Sequence, residues 1–237
     1  MDVASNVSAE RSALPPGQRE LKEFPRFGIV SFAKHPIRGT DIRIEVSGAF
    51  ERPIVLTANE LAMLPRVTLR RDFHCAAGWS YRELEWSGYR FADVWTRLIV
   101  PHAQRVSEHA LVVLRGEDRF RTSLPLADLL VPEVVIADRL NGELLSIEHG
   151  APVRLIAPAH YGYKSVKHLA RIELHADDRG YRPLLPRLLD HPRARVAFEE
   201  RGELLPGWLS RYLFRPFVQP IIRKLRRISE SQGLDTE

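Results

Sequence analysis

The single cysteine of the chain is the first residue whose type and position suggest chemistry. Cys75 follows an apolar stretch, residues 67–73, and precedes a turn sequence, residues 76–80. At the junction of a strand and a glycine turn, a side chain can point into a cleft, where a thiolate could bind a metal or act as a nucleophile. A lone cysteine can equally be a small buried hydrophobe. His74 could tune such a thiolate, but neighbouring residues on a strand face opposite ways, which argues against a direct Cys–His pair.

A second polar segment, residues 149–167, carries basic side chains among glycines. It contains Arg154, Lys164, Ser165 and Lys167. Together with the backbone amides near Gly162, these groups could supply the charge-assisted hydrogen bonds that a phosphate requires. The alternative is that Arg154 has an ion-pair partner on a strand and that the lysines are solvated. Both interpretations stay open on these residues alone.

Short strands and short helices must position these residues. Alternating or apolar runs predict strands near residues 41–48, 54–56, 67–73, 111–114, 144–147, 153–157 and 169–174. Thr57 and Glu60 have the spacing of a capping box for a short helix. Further short helices are expected at residues 91–99, from about 124 to 130, and after Pro132. The mixed order predicts an α+β fold, a mixed β-sheet core with short peripheral helices.

The arrangement along the chain suggests three parts. We expect residues 1–23 to form a flexible N-terminal arm, residues 24–180 to form a catalytic domain, and residues 181–237 to form an extension rich in Arg, Pro and aromatic residues. In the extension, Pro216 and Pro220 are expected to interrupt any long helix.

Composition excludes several classes of protein. The chain has 237 residues, 44% of them hydrophobic, and one cysteine, which excludes a disulfide-stapled scaffold. No apolar run approaches the roughly 18 residues that cross a bilayer. The N-terminal residues show no secretion signal, so a cytoplasmic location is expected.

The net charge of +5 is modest, but six basic residues and no acidic ones lie between positions 211 and 227. Residues 205–228 could pack on the domain, dock to an acidic electron-transfer partner or lie on an anionic membrane; nucleic acid is not expected.

Several ordered motifs resemble those of a known family. They are IEVSGAFERP (residues 44–53), DFHCAAGWS (72–80) with WSG (86–88), LNGE (140–143), HGAPVRLIAP (149–158) and YGYKSVKHLARIEL (161–174). In this order and spacing they resemble the sulfite-oxidase-type molybdopterin-binding oxidoreductases, especially short bacterial members similar to the catalytic subunit of methionine-sulfoxide reductase. The resemblance covers residues 24–176 and implies a sulfite-oxidase-like molybdopterin-binding fold.

The resemblance also implies roles for individual residues. Cys75 matches the metal ligand, and His74 occupies a position near the substrate where the related reductase has Arg. The cofactor would be a molybdopterin with Mo, held by the remaining matched positions: His149, Arg154, Ser165, the backbone of Val166, Lys167 and, as a weaker candidate, Lys164. Arg26, Phe27 and Gly28 fall where a family segment touches the pterin. Trp79, Trp86 and Trp95 could line the substrate cavity or belong to the core.

The function implied is oxygen-atom transfer on a small-molecule substrate of the sulfite or sulfoxide type. The chain has no haem-attachment motif and too few cysteines for an iron–sulfur cluster, so an external electron-transfer protein is expected. Two rivals stay open. One is a non-catalytic module that binds a phosphorylated ligand and has Cys75 buried. The other is a cysteine hydrolase that would need His149 or His160 as partner.

Overall fold

The computed structural model describes residues 13–29, 41–48, 52–103, 106–107, 110–177 and 181–232. In chain order the strands are β1 (Arg19–Glu20), β2 (Arg43–Gly48), β3 (Ile54–Thr57), β4 (Arg66–His74), β5 (Trp79–Arg90), β6 (Leu111–Gly116), β7 (Arg121–Pro125), β8 (Val135–Leu140), β9 (Glu143–Leu144), β10 (Arg154–Ile156) and β11 (Leu169–His175). The α-helices are α1 (Ala58–Ala62), α2 (Phe91–Val94), α3 (Leu126–Leu129), α4 (Gly207–Phe214) and α5 (Val218–Ser231). A π-helical turn, Trp95–Ile99, continues α2, and single 3₁₀ turns include Ile147–His149, Gly162–Lys164 and Arg215–Phe217.

The strands form two mixed sheets. One sheet has the order β1-β5-β8-β10, with β4 paired to β5 and β9 paired to β8, and the other has the order β3-β2-β11-β6-β7. Two pairs are parallel, β1 with β5 and β11 with β2, and the others are antiparallel. Few and short helices surround these sheets, so the α+β prediction is confirmed.

Both faces of the first sheet are covered, and this determines where the site lies. Ile136 of β8 points into the main core with Val112 and Ile172 of the second sheet. Its neighbours Val135 and Ala137 point to the opposite face and join a smaller cluster. That cluster includes aromatic rings from β4 and β5, so a layer of rings lies on the outer face of the first sheet.

Most predicted elements are present, with three corrections. The strand expected at residues 144–147 is wrong: β9 ends at Leu144, and Ile147–His149 form a 3₁₀ turn. The capping box is confirmed, because Thr57 N donates to Glu60 Oε2 at 2.9 Å. The helix expected after Pro132 is wrong: residues 132–134 form a turn into β8, whose apolar run is buried on both faces and therefore lacks a helical period. The helix opening near residue 124 is shorter than expected, because residues 121–125 form β7.

The two chain ends also pack on the domain. Within the predicted N-terminal arm, residues 1–12 lie outside the described residues, but β1 pairs with Trp79 and Ser80 of β5, so this part of the arm belongs to the sheet. In the extension, Pro216 lies in a 3₁₀ turn and Pro220 in the first turn of α5, where a missing amide costs little. The expected break at Pro220 is therefore wrong. Among the described residues, no helix is long and apolar enough to span a bilayer.

Candidate functional site

The cysteine lies in a tight turn between β4 and β5. Cys75 N donates to Trp79 O at 2.8 Å, and Gly78 N donates to Cys75 O at 3.0 Å. Gly78 has a φ of +94°, a conformation that favours glycine. The Ala77 amide donates to the Cys75 sulfur at 3.5 Å. Both strands therefore fix the position of the sulfur.

The thiol is held in its protonated form. Burial raises the pKa of Cys75 to about 12, against smaller opposing effects of the Ala77 amide and Arg201. A thiol with this pKa is a poor nucleophile at neutral pH, whereas coordination to a metal would displace its proton. The environment therefore favours a metal ligand over a hydrolase nucleophile.

No described histidine contacts the sulfur. His74 is buried, its Nδ1 lies 2.7 Å from Ser80 Oγ, and burial lowers its pKa. His160 Nδ1 contacts the carbonyl of Arg193. His149 lies against Phe24 instead. The partner that a cysteine hydrolase would need is missing from the described contacts.

Three residues that the sequence did not single out surround the cysteine turn. Gln18 Nε2 donates to Cys75 O at 3.1 Å. The fully buried Arg201 donates through Nη1 to Ala76 O at 2.6 Å. Its guanidinium also lies 5.0 Å from the ring centroid of Tyr161. Burial raises the pKa of Tyr161 to about 12, so its hydroxyl stays protonated.

Gln18 and Arg201 are far from Cys75 in the sequence and belong to no recognisable motif. Tyr161 belongs to the polar segment, residues 149–167, that the sequence analysis described.

Two basic residues, Arg154 and Lys167, lie beside the 3₁₀ turn Ile147–His149. Arg154 is 1% exposed and donates to His149 O at 2.8 Å and Ser165 O at 3.0 Å. Lys167 Nζ donates to Glu148 O at 2.6 Å. Burial lowers the pKa of Arg154 to about 9, and burial together with Arg154 lowers that of Lys167 to about 7. Neither forms an ion pair with a described carboxylate within 4 Å, although Asp118 and Glu148 act on Lys167 and partly oppose the lowering of its pKa. Arg154 and Lys167 are called the basic pair below. An anionic ligand would stabilise their buried positive charge.

His149 completes this region. Burial, helped by Lys167 and Arg154, lowers its pKa to about 3, so the ring is neutral. Its Nδ1 and the Nε of Arg154 are buried without a hydrogen-bond partner among the described residues. Buried polar atoms of this kind usually have a partner. Their presence beside the basic pair fits a bound polar group.

An aromatic layer connects the cysteine turn to the basic pair. The Phe73 ring, two residues before Cys75, lies 5.7 Å from the Arg154 guanidinium and 5.9 Å from the Trp79 ring. The Phe24 ring stacks on His149 at 5.0 Å. A Cβ on Gly162 would lie 2.3 Å from the Phe73 ring, so the predicted phosphate loop also packs against this layer.

The N-terminal segment reaches the same place. Arg26 Nη1 donates to Ser229 Oγ at 2.6 Å and lies 3.9 Å from Glu148, and burial lowers its pKa. The Phe27 ring packs edge-on against Trp79 at 5.4 Å. Gly28 is exposed and has open space around its Cα. Arg26 and Phe27 thus contact residues beside the candidate site, and their contact with the pterin stays a prediction.

Two predicted cofactor-binding residues have other contacts. The Ser165 hydroxyl accepts the Ala157 amide at 3.1 Å. The carbonyl of Val166 accepts the Leu155 amide at 2.9 Å, and its amide donates to Lys164 O at 3.2 Å. These hydrogen bonds fix the loop and occupy the Val166 amide, while the Ser165 hydroxyl can still donate its hydrogen to a ligand.

Lys164 has a partner of its own. It is fully buried, donates to Ser123 O at 2.9 Å and lies 3.3 Å from Asp190 Oδ1. Asp190 neutralises this charge inside the protein, so Lys164 is not part of the basic pair.

The three tryptophans that could have lined a cavity are core residues. Trp79, Trp86 and Trp95 are at most 6% exposed.

The donor set suits a metal that brings most of its own ligands. Among the described residues, no three His, Cys, Asp or Glu side chains come together as a metal site. One fixed thiol beside a region that favours an anion fits a metal held by the soft sulfurs of a phosphorylated cofactor, since thiolates select soft metals.

Comparison with known proteins agrees with this. The family described as the oxidoreductase molybdopterin binding domain matches residues 32–181. The chain belongs to this family. The molybdopterin oxidoreductases bind a molybdopterin cofactor with Mo, so the chain is an oxidoreductase and the non-catalytic alternative is excluded.

Individual relatives show the same relationship. Uncharacterized oxidoreductase YuiH of Bacillus subtilis is 32% identical over 168 residues, which cover 70% of this chain and 81% of the relative. Protein-methionine-sulfoxide reductase catalytic subunit MsrP of Gluconobacter oxydans is 26% identical over 190 residues, covering 70% of this chain and 60% of the relative.

Sulfane dehydrogenase SoxCD of Paracoccus pantotrophus has a similar fold. Its crystal structure matches with a TM-score of 0.51 and 23% identity, covering 60% of this chain and 40% of that chain. The sulfite-oxidase-like molybdopterin fold expected from the sequence is confirmed.

Proposed function

We propose that this molybdopterin oxidoreductase transfers an oxygen atom between water and a small substrate of the sulfite or sulfoxide type, and exchanges electrons with a separate redox protein. The named relatives support this class, since one reduces methionine sulfoxide and another is a sulfane dehydrogenase. The molybdenum cofactor supplies the metal that accepts and releases the oxygen atom and the electron pair. The rest of the proposal concerns residues of this chain.

The ring of Phe73 is the observation that carries the proposal. It belongs to the strand that ends at the cysteine turn and it contacts the Arg154 guanidinium, 5.7 Å from the ring centroid. Phe73 thus contacts a buried cation that has no ion pair with a described carboxylate, and the candidate metal ligand Cys75 follows it by two residues in the chain. A cofactor with a sulfur-bound metal at one end and a phosphate at the other has the polarity to reach both.

Each residue then has a defined task. Cys75 binds the metal as a thiolate, for which it must lose the proton that its pKa of about 12 retains in the free protein. Arg154 and Lys167 bind the anionic end of the cofactor, and the neutral His149 offers its free Nδ1. Tyr161, protonated and next to Arg201, can hold a proton near the cysteine turn.

Substitution of Cys75 tests the assignment. Wild type, Cys75→Ser and a control on the same strand, Thr68→Ser, would be produced with molybdate. Molybdenum content, the visible absorption spectrum, sulfite oxidation with ferricyanide and sulfoxide reduction with a reduced viologen would then be measured. We expect Cys75→Ser to lose the thiolate-to-metal absorption and both activities, and Thr68→Ser to match the wild type. An unchanged spectrum and activity in Cys75→Ser would refute the ligand assignment.

The substrate and the partner are tested separately. Activity with sulfite but not with sulfoxides, or the reverse, would define the substrate type, and activity with neither would refute the proposed class. The cytoplasmic location stays a prediction and is checked by cell fractionation.

A further inference from the structure

The C-terminal helices present an unusual surface. Residues 207–231, here called the C-terminal rod, comprise α4, the 3₁₀ turn Arg215–Phe217 and α5 without a break in helical backbone. At about 1.5 Å per residue the rod is about 37 Å long. It lies outside the residues that match the family. The family's fold therefore gives no reason for its surface.

The first half of the rod directs large apolar side chains into solvent. Trp208 and Tyr212 are four residues apart, as are Leu209 and Leu213, so each pair lies on one side of the helix. The exposures of the large apolar side chains are Trp208 57%, Leu209 40%, Tyr212 57%, Leu213 45% and Phe217 56%. The opposite side faces the domain: Ser210 is fully buried and Arg215 reaches Gly17 O at 3.4 Å. A helix normally turns its apolar side inward, so this orientation indicates a surface used for contact.

The second half of the rod directs basic side chains into solvent. The exposed bases of α5 are Arg223, Lys224, Arg226 and Arg227. Only Arg226 approaches a described carboxylate, Glu23, at 3.6 Å, and both side chains are exposed. The buried side of α5 is anchored by Leu225 and Ile228. The basic side chains are therefore held outward by a fixed helix.

The charge of the whole chain is concentrated here. Residues 205–232 carry six basic residues and one acidic residue, an excess equal to the net charge of +5 of the entire chain. The remaining residues therefore have equal numbers of acids and bases. Attraction to an anionic surface would orient the molecule with the rod toward that surface.

We propose that the C-terminal rod binds the surface of an anionic membrane, with its aromatic half in the interfacial region and its basic half on the lipid headgroups. Tryptophan and tyrosine favour this interface, and clustered Lys and Arg favour anionic lipids. The apolar half of the rod carries Trp208 and Tyr212, and its basic half carries four exposed bases and one exposed acid. These are the side-chain types that a lipid interface and anionic headgroups favour.

Arg215 and Gly17 connect the rod to the candidate site. Gly17 precedes β1, whose Arg19 amide donates to Gly78 O at 3.1 Å in the cysteine turn. The cysteine turn is therefore linked to the side of the rod that faces the domain, and membrane binding through the opposite side would leave this link in place.

Tryptophan fluorescence gives a direct test. The chain has four tryptophans, and all except Trp208 are buried. The full-length protein would be mixed with vesicles of phosphatidylcholine containing about one third phosphatidylglycerol, or of phosphatidylcholine alone, at low and high salt. We expect a blue shift of the emission with the anionic vesicles at low salt, its loss at high salt, and no shift in Trp208→Phe.

Sedimentation with the same vesicles measures affinity. We expect the variant Trp208→Ala/Tyr212→Ala/Phe217→Ala and the variant Arg223→Gln/Lys224→Gln/Arg227→Gln each to weaken binding at least tenfold. The control Arg90→Gln/Arg97→Gln/Arg119→Gln removes the same charge from exposed positions elsewhere and should bind within twofold of the wild type. Circular dichroism would verify that all of them are folded.

Three results would overturn the proposal: wild type that binds both vesicle types equally weakly, rod variants that bind like the wild type, or a control that loses as much affinity as the basic variant. A dimer that the aromatic variant dissociates, with no vesicle binding, would show that a second copy covers this face instead. Molybdenum content is independent of all these outcomes.

Discussion

Removal of the Arg201 side chain should destabilise the fold and disturb the cysteine turn together. Arg201 is fully buried, and its guanidinium donates to Ala76 O at 2.6 Å and to Pro16 O at 3.0 Å. These two carbonyls belong to segments far apart in sequence from Arg201 and from each other. A hydrogen bond from a charged donor contributes about 1.5–3 kcal/mol. Because water can satisfy part of what is lost, we expect Arg201→Ala to lower the free energy of unfolding by about 3–5 kcal/mol.

The assay is equilibrium urea unfolding followed by circular dichroism, with slopes compared to verify that the same transition is measured. Arg187→Ala is the matched control from the same extension. Its side chain is 68% exposed and lies 3.3 Å from Glu203. An exposed pair of this kind contributes about 1 kcal/mol or less.

Arg201→Lys keeps the charge but not the fork of donors, so its loss of stability should lie between those of Arg201→Ala and Arg187→Ala. The absorption of the metal site should also change in Arg201→Ala and not in Arg187→Ala. Equal stability losses in these two variants would refute the role assigned to Arg201.

Three further predictions concern the interior. Lys167→Met should stabilise protein produced without molybdate but destabilise the cofactor-loaded protein. Lys164→Met should lower the free energy of unfolding of both forms by about 3 kcal/mol, because Asp190 loses its partner. Thermal unfolding of both forms would measure these changes. The pKa of His168 is lowered by burial from 6.5 to about 4, so the unfolded chain takes up a proton first as the pH falls. His168 should therefore contribute about 3 kcal/mol to the loss of stability between pH 6.5 and 4. His168→Asn should reduce the pH dependence in urea titrations by about this amount and leave the part due to His149, whose pKa is lowered to about 3. Gly162→Ala should lower molybdenum content by displacing the aromatic ring it touches, and Thr68→Ser, the control used above, should not. An undiminished pH dependence in His168→Asn, or equal effects of the paired variants, would contradict these assignments.

Local patterns predicted much of the fold. The alternation of Ile44 and Val46 became buried positions of β2, and the spacing of Thr57 and Glu60 gave the predicted helix start. Local patterns failed where a strand is buried on both faces. Residues 134–137 are apolar at four consecutive positions, so neither a period of two nor one of 3.6 is visible, and the proline before them suggested a helix.

The site was predictable only in part, for a different reason. The motifs identify Cys75 and Arg154, but Gln18 and Arg201 reach the cysteine turn from 57 and 125 residues away along the chain. Contacts of this range leave no local signal. The sequence alone does not show which of Lys164 and Lys167 has a buried carboxylate partner. The structure shows it, because Asp190 lies beside Lys164.

The difference between these buried bases explains how a fold marks a ligand site. Removing a cation from water costs several kcal/mol unless a partner compensates. Lys164 has Asp190, and Arg201 has Glu199 at 3.5 Å as well as two carbonyls. Arg154 is equally buried, donates to backbone carbonyls, and has no ion pair with a described carboxylate. The rings of Phe73 and Trp86 lie 5.7 and 5.0 Å from its guanidinium, but no described carboxylate compensates its charge, so we expect the anionic end of the cofactor to bind beside Arg154.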